Sequence, residues 1–269
     1  MDFTVKEINS KQILTKSKLP GVDYSINPYV GCEHACKYCY AVFMKKFTSQ
    51  KGNWGEFVDV KINANKVLRY ELKTNKPGTV LMSSVTDPYQ PAEGKYEITR
   101  KTLEEFLKSG KKFDISILTK STLALRDIDL LKKLDCSVGF SISTLDEVQK
   151  IFEPNSSSTS QRFKALKELK KNNIKTYAFL GPILPKLTEN DIEDIFKELS
   201  TLDVNHVWVD KLNTKGNWEF IEQALKQHYP ELLDEWKKIL FGRTGYWRDV
   251  KADVTNLSKK YNIKTIFCF

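Results

Sequence analysis

Cys32, Cys36 and Cys39 stand within one short run, Asn27-Pro-Tyr-Val-Gly-Cys-Glu-His-Ala-Cys-Lys-Tyr-Cys-Tyr40, spaced C-x3-C-x2-C. Thiolates crowded on one loop can each cap a different iron of a cubane iron–sulfur cluster, which ordinarily takes four cysteines. The remaining two, Cys136 and Cys268, lie far downstream, so one iron would stay open to an outside ligand. Gly31 permits a sharp turn into the loop, and Asn27-Pro28 marks the change from strand to loop. Tyr38, just before the last cysteine, is placed to shield a cluster, and Tyr40 follows it. The competing reading is a zinc site on Cys32, Cys36, Cys39 and His34, because Cys3His is a zinc ligand set. Its ligands would be unusually crowded, with no second paired half downstream. A disulfide framework does not suit a chain of this length without a secretory signal.

Such a loop needs a rigid frame, and the hydrophobic pattern supplies one. Ser25–Val30 reads as the first core strand, delivering the loop from its C-terminal end. Trp54–Ile62 alternates as a strand or hairpin. Strands are then expected at Thr79–Val85, Phe113–Thr119, Cys136–Ser143, Ile174–Leu180 and Val204–Val209, separated by helices at Asn63–Thr74, Glu97–Lys108, Leu123–Leu134, Gln161–Asn172 and Thr188–Thr201. Alternation of this kind predicts an α/β fold with a parallel sheet. Six βα units would make a partial (β/α)6 barrel of the TIM type. Residues 1–25 read as an N-terminal lead-in with a small strand near Ile13–Leu14, residues 26–215 as the barrel, and residues 216–269 as a helical C-terminal extension. The extension is expected to hold helices at Trp218–Gln227, Glu231–Phe241 and Arg248–Tyr261 and a closing strand at Ile263–Phe269. Ser158 or Ser160 is the expected N-cap of the helix beginning near Gln161.

In parallel α/β barrels reactive groups collect at the C-terminal ends of the strands. That edge carries Ser84, Thr86 and Asp87, then Thr119, Lys120 and Ser121, then Ser141 and Ser143, then Gly181-Pro182, then Asp210, Lys211 and Asn213. The run Asp87-Pro-Tyr-Gln-Pro-Ala-Glu93 is stiffened by two prolines and offers acids, an amide and a phenol, so it is expected to face substrate or cofactor.

The cysteine loop resembles the cluster motif CxxxCxΦC of the radical S-adenosylmethionine (SAM) superfamily, with Tyr38 as the aromatic Φ. The resemblance extends through NPYVGCEHACKYCYA, SSVTDPYQPAE, ILTKSTLALRD, SISTLDEVQKIFEPN and FLGPILP, which look like successive segments of the spore photoproduct lyase-like branch. It implies a [4Fe-4S] cluster on Cys32, Cys36 and Cys39, with SAM on the open iron. It further implies reductive cleavage of SAM to methionine and a 5′-deoxyadenosyl radical that abstracts hydrogen from substrate. Lys120 would then meet the SAM carboxylate as a point charge, Ser141 or Ser143 would bond the ribose or carboxylate, Ser84 would join the cofactor site, and Tyr40 with Gly181 would line the adenine slot. Asp87 and Tyr89 are the candidate catalytic side chains. A flavodoxin or ferredoxin-type electron donor is implied as partner.

Forty-three basic against thirty-four acidic residues give a net charge of +9, which suits a polyanionic partner, while lysines such as Lys164 and Lys167 also read as solvated helix faces. Trp218, Trp236, Tyr246 and Trp247, interleaved with Arg243, Arg248 and Lys251, are candidates to stack single-stranded nucleic acid; at helical spacing they equally suit core and rim. No apolar run is long enough to span a membrane, and the N-terminus lacks the apolar core of a secretory signal, so a cytoplasmic location is expected. Repair of a thymine photoproduct in DNA is the alternative substrate reading, and a non-catalytic metal-stabilised nucleic-acid-binding protein the third. Against repair, no cysteine lies between Cys39 and Cys136 to serve as the hydrogen-atom donor that the lyase uses. Cys136 and Cys268 are the remaining thiols for that role, both reading as buried apolar positions.

Overall fold

The strands of this chain alternate aliphatic residues with small or polar ones, so each strand has one face to bury and one it can leave open. The computed structural model describes residues 3–269. Eleven strands among these residues, numbered in chain order, form two sheets. The smaller has the order β1 (Thr4–Ile8), β5 (Phe57–Lys61), β4 (Tyr29–Gly31). The larger runs β11 (Thr265–Phe267), β10 (Val207–Lys211), β9 (Lys175–Ile183), β8 (Cys136–Ile142), β7 (Asp114–Thr119), β6 (Thr79–Met82), β3 (Tyr24–Ile26), β2 (Thr15–Lys16). Its pairings are parallel except that of β2 with β3. The architecture is the expected partial barrel.

The convex face is the core. Met82, Ile117, Val138, Phe140, Leu180 and Val209 are at most 1% exposed, with helices such as Ile98–Ser109, Thr159–Lys171 and Thr188–Thr201 connecting the strands. Register places Leu81, Ser116, Ser137, Phe179 and Trp208 on the opposite, concave face, where each is only half-buried. The concave side is therefore an open trough rather than a filled barrel interior. Its floor is aromatic: Tyr177 stacks on His206 at 5.3 Å, and its hydroxyl bonds to Ser116 Oγ at 2.9 Å. A Cβ at Gly139 would lie 2.2 Å from the Tyr177 ring, so only glycine lets that ring cross the floor.

Several expectations need correction. The strand read at Ser25–Val30 is two strands. Pro28 has no N–H to continue a ladder, so the chain leaves the large sheet after Ile26 and β4 joins β5 instead. The cysteine loop is thus delivered by the small sheet. Gly31, at φ +89, leads into it with its Cα facing the Phe57 carbonyl, which an added Cβ would approach to 2.4 Å. Ile13 and Leu14 are not a strand; both are buried, and their amides donate to the Glu71 carboxylate. The helix read at Leu123–Leu134 divides into a 3-10 segment, Thr122–Asp127, and a short helix, Ile128–Leu131, at buried Asp127, which Arg100 and Arg126 both grip. Strand β1, the 3-10 segment Tyr40–Phe47 and the helices Pro91–Tyr96 and Asp146–Phe152 carried no recognised sequence signal. Ser158 does cap Thr159–Lys171, in a reciprocal capping box with Gln161. The tail holds helices Trp218–His228, Leu233–Phe241 and Tyr246–Lys260 and returns to the sheet as β11.

Candidate functional site

A loop that must present three thiols cannot satisfy its own backbone, and side chains from three other strand ends do so. After β6, Asn27 Oδ1 accepts the amides of Ser84 and Val85, both at 3.0 Å, tying the start of the loop to that edge. Thr86 Oγ1 donates to the Gly31 carbonyl at 2.6 Å, and buried Gln90 accepts the Glu33 amide at 3.0 Å. After β8, the Lys37 amide donates to Phe152 O at 2.8 Å, and Asn155 Nδ2 to Glu33 O at 2.9 Å. After β10, buried Asn217 donates to Tyr38 O at 2.7 Å. Seven backbone groups across residues 31–38 and 84–85 are thereby fixed by groups distant in sequence.

Two charged assemblies back this framework. Asp87 accepts Thr119 Oγ1 at 2.7 Å, Lys120 N at 2.8 Å and Tyr89 N at 2.9 Å, and lies 3.4 Å from His34 Nδ1. Burial raises its carboxyl, but His34 and these donors outweigh it and hold the group down at about 2. The sign follows: a carboxylate depressed in the fold stabilises it above the unfolded value and loses that contribution as pH falls through the folded one. The cluster-free chain is expected to lose about 2 kcal/mol on this account between pH ~4 and ~2. Denaturant melts of wild type and Asp87→Asn across that range check it, since the variant should not show this component. The second assembly joins Glu153 to Arg162, which are 1% and 0% exposed. Tyr38 donates to Glu153 and lies 3.3 Å from Ser143 Oγ. Arg162 also donates to Ser141 O at 2.7 Å and Ser157 O at 2.9 Å. Burial raises the Glu153 carboxyl, yet Arg162 and then Lys120 bring it below the ordinary carboxylate range.

The residues expected at the site divide by this geometry. Lys120 reaches over the Tyr38 ring at 5.7 Å. Burial lowers its ammonium, and Cys36, then Glu153, more than restore it. Tyr40, half exposed, donates to the Ser84 carbonyl. Ser141 and Ser143 are buried on the trough side of β8 and its extension. Gly181 follows on β9, where a Cβ would lie 2.4 Å from the Phe179 ring. These groups share one edge with the three cysteines. Asp87 and Tyr89 do not face outward as expected: Asp87 is turned in on the four partners above, and Tyr89 is 0% exposed. Gln90 and Glu93 are likewise fully buried, Glu93 receiving Tyr29, Arg126 at 2.6 Å and Thr99 N at 2.8 Å. The Asp87–Glu93 run is a support for the loop. Gln90, read with that run as facing substrate or cofactor, instead holds the Glu33 amide, and sequence reasoning missed Asn27, Glu153, Arg162 and Asn217 as individual residues. Asn27 and Glu153 sat inside recognised segments, whereas Arg162 and Asn217 carried no local signal.

The remaining thiols separate cleanly. Cys136 is buried on the convex side, its Sγ against Leu131 O at 3.2 Å. Cys268 is not buried, contrary to its apolar neighbours. It follows β11 beside Asp210 on the concave side, continuing the register of Trp208 with Ile266. The tail aromatics are not a free stacking platform. Trp236 is 0% exposed and stacks on Phe152 at 6.1 Å, while Trp247 packs on Tyr246 and Phe269.

The donor set fits an iron–sulfur cluster better than a zinc ion. Burial raises the Cys32 thiol, and Asp87, Cys36 and Cys39 raise it further; a cationic iron core would offset each of these. His34 is turned to Asp87 rather than joined to the sulfurs. No three His, Cys, Asp or Glu side chains among the described residues converge on a point that one ion could occupy, whereas a cubane takes each thiolate on a different iron.

The profile of the Radical SAM superfamily matches residues 26–199. The chain belongs to that superfamily. An uncharacterized protein of Methanocaldococcus jannaschii is 38% identical over 256 residues, 94% of this chain and 93% of that one. A radical SAM Nalpha-GlyT isomerase of Pseudomonas phage M6 is 28% identical, over 76% of this chain and 43% of its own. A mutant spore photoproduct lyase with bound AdoMet and dinucleoside spore photoproduct superposes with a TM-score of 0.69 at 18% identity, covering 98% of this chain and 81% of that one; at that identity the likeness is one of fold. This radical SAM protein is an enzyme of a family that uses a [4Fe-4S] cluster and SAM and requires an electron donor. Among the described residues no helix is long and apolar enough to cross a membrane.

Proposed function

We propose that Cys32, Cys36 and Cys39 hold a [4Fe-4S] cluster whose uncapped iron takes SAM, and that the enzyme abstracts a hydrogen atom from a substrate lying in the trough. The gathering of three thiols and one ammonium group at the open end of a half-buried, hydroxyl-lined trough carries this reading. When bound, the reduced cluster supplies one electron to the sulfonium of SAM, giving methionine and a 5′-deoxyadenosyl radical. The chain's own residues do the rest by placement and exclusion of water. Lys120 offers the SAM carboxylate a cation. Ser84, Ser141 and Ser143 offer hydroxyls to the carboxylate or ribose. Tyr40 and the Gly181 turn border the adenine. Asp87 and Tyr89 act as positioning residues, because neither reaches the trough. The core is assigned to residues 26–215, with residues 1–25 a lead-in and 216–269 an extension packed on it. A flavodoxin or ferredoxin-type protein in the cytoplasm is the proposed reductant.

Anaerobic reconstitution followed by dithionite tests the reading: 5′-deoxyadenosine should accumulate from SAM, and a colourless, zinc-loaded chain inert to SAM would overturn it. Lys120→Met should retain full iron and sulfide yet bind SAM about 10- to 100-fold more weakly, the scale of one charge-assisted hydrogen bond. Isothermal titration of the two proteins measures this, and equal affinities would remove Lys120 from the carboxylate site.

Repair of a thymine photoproduct in DNA is a second reading, favoured by the fold likeness, the net charge of +9 and the place of Cys268 at the trough mouth. An oligonucleotide carrying the photoproduct decides it: restored thymine supports repair, and SAM cleavage without restored thymine rejects it. Membership of an enzyme superfamily leaves the non-catalytic binding protein without support.

A further inference from the structure

The three thiols differ in what touches their sulfur. Cys39 Sγ receives the indole N–H of Trp54 at 3.2 Å. Among the described residues neither Cys32 nor Cys36 has a side-chain N–H donor to its sulfur. Trp54 reaches Cys39 from a tight turn of the small sheet, where the Glu56 amide donates to Asn53 O at 3.0 Å and Glu56 Oε2 accepts the Asn53 amide at 2.7 Å. Gly55, at φ +100, lies so close to the cysteine loop that a Cβ there would come within 2.8 Å of Ala35 Cβ. The Trp54 ring is only 8% exposed and stands edge-on to Phe57, centroids 5.8 Å apart at 89°. The donor is therefore held from both sides, by its own turn and by the β5 ring beneath it.

We infer, on the reading that these cysteines hold the cluster, that Trp54 is a positioning residue whose N–H···S bond to Cys39 sets the cluster's reduction potential. Reduction adds negative charge that spreads onto the thiolate sulfurs. A hydrogen-bond donor at one sulfur stabilises the reduced form more than the oxidised form and raises the potential. A buried, indole-donated bond does this without adding a net charge, and it leaves the surrounding apolar packing intact. Trp54 also sets Cys39 apart from Cys32 and Cys36, because among the described residues only Cys39 receives such a donor.

Trp54→Phe removes the donor while keeping a ring against Phe57. The test is a redox titration of the reconstituted protein followed by electron paramagnetic resonance, with iron and sulfide measured on each sample. At the wild-type midpoint the variant's ratio of reduced to oxidised cluster is expected to fall about tenfold, a shift of about 59 mV to more negative potential for a one-electron couple. Trp247→Phe, whose ring packs on Tyr246 and Phe269, should not shift. A Trp54→Phe midpoint equal to that of wild type overturns the inference. Should the variant fail to take up iron, wild-type protein carrying 15N-indole tryptophan replaces it: the reduced cluster should show a weak hyperfine coupling to one nitrogen, and its absence overturns the inference equally. A wild-type chain that takes up no cluster defeats the functional reading itself, and this inference with it; a wild-type cluster with no Trp54 effect defeats the inference alone.

Discussion

Cys36→Ala, purified and reconstituted without oxygen, should carry little iron or sulfide and should release no measurable 5′-deoxyadenosine. Cys36 is the middle thiol of the loop, and Lys120 is the first of its charged neighbours. Its loss leaves two protein thiolates, so two irons of a cubane lack a protein ligand. Loss of a mere outer partner typically costs about 10- to 100-fold in metal affinity, and removal of a ligand must cost more. The fold itself should survive, because the loop backbone is held by Asn27, Thr86, Gln90, Asn155 and Asn217 rather than by the sulfur. Far-ultraviolet circular dichroism unchanged from wild type, together with absent iron, is the expected pair of results. Full iron and sulfide in the variant would contradict the assignment of the ligands.

Arg162→Met should be the most damaging change away from the cysteines. Arg162 is wholly buried, and its guanidinium satisfies Glu153, Ser156 Oγ and the carbonyls of Ser141 and Ser157. Removing one member of a buried ion pair strands the other in a medium that solvates it poorly, at about 3–5 kcal/mol. Here the stranded carboxylate is the one that receives the Tyr38 hydroxyl between two of the cysteines. The variant should therefore lose stability in urea and also hold the loop less firmly, so that cluster uptake falls. Arg162→Met with Glu153→Gln should recover part of the stability, since no uncompensated charge remains. A single variant within about 1 kcal/mol of wild type would show that Glu153 finds another partner and that the pair does not brace the loop.

The C-x3-C-x2-C spacing, the glycine before it and the alternation of apolar strands with helical segments are local properties, and they were enough to indicate the cysteine loop and the barrel. A thiol loop needs only short-range order to be recognised, and a βα repeat writes its period directly into the chain. The strand read across Asn27-Pro28 went wrong because a proline break and a continuous strand look alike until the partner is known; β4 leaves the large sheet because β5 lies ready to receive it.

Burial decided the rest. Asp87 and Glu93 read in sequence as acids facing substrate or cofactor, and only the fold turns them inward onto His34 and Arg126. Trp54 reads as the start of a strand, yet its meaning is a distance to Cys39, fifteen residues away, that no spacing rule encodes. By itself, the sequence determined which atoms could bind iron and which segments would form the frame, since both follow from residue type and period. The tertiary structure alone decided which polar groups face the trough and which brace the loop, because that depends on where sequence-distant strand ends meet and on which side of each strand remains open to water.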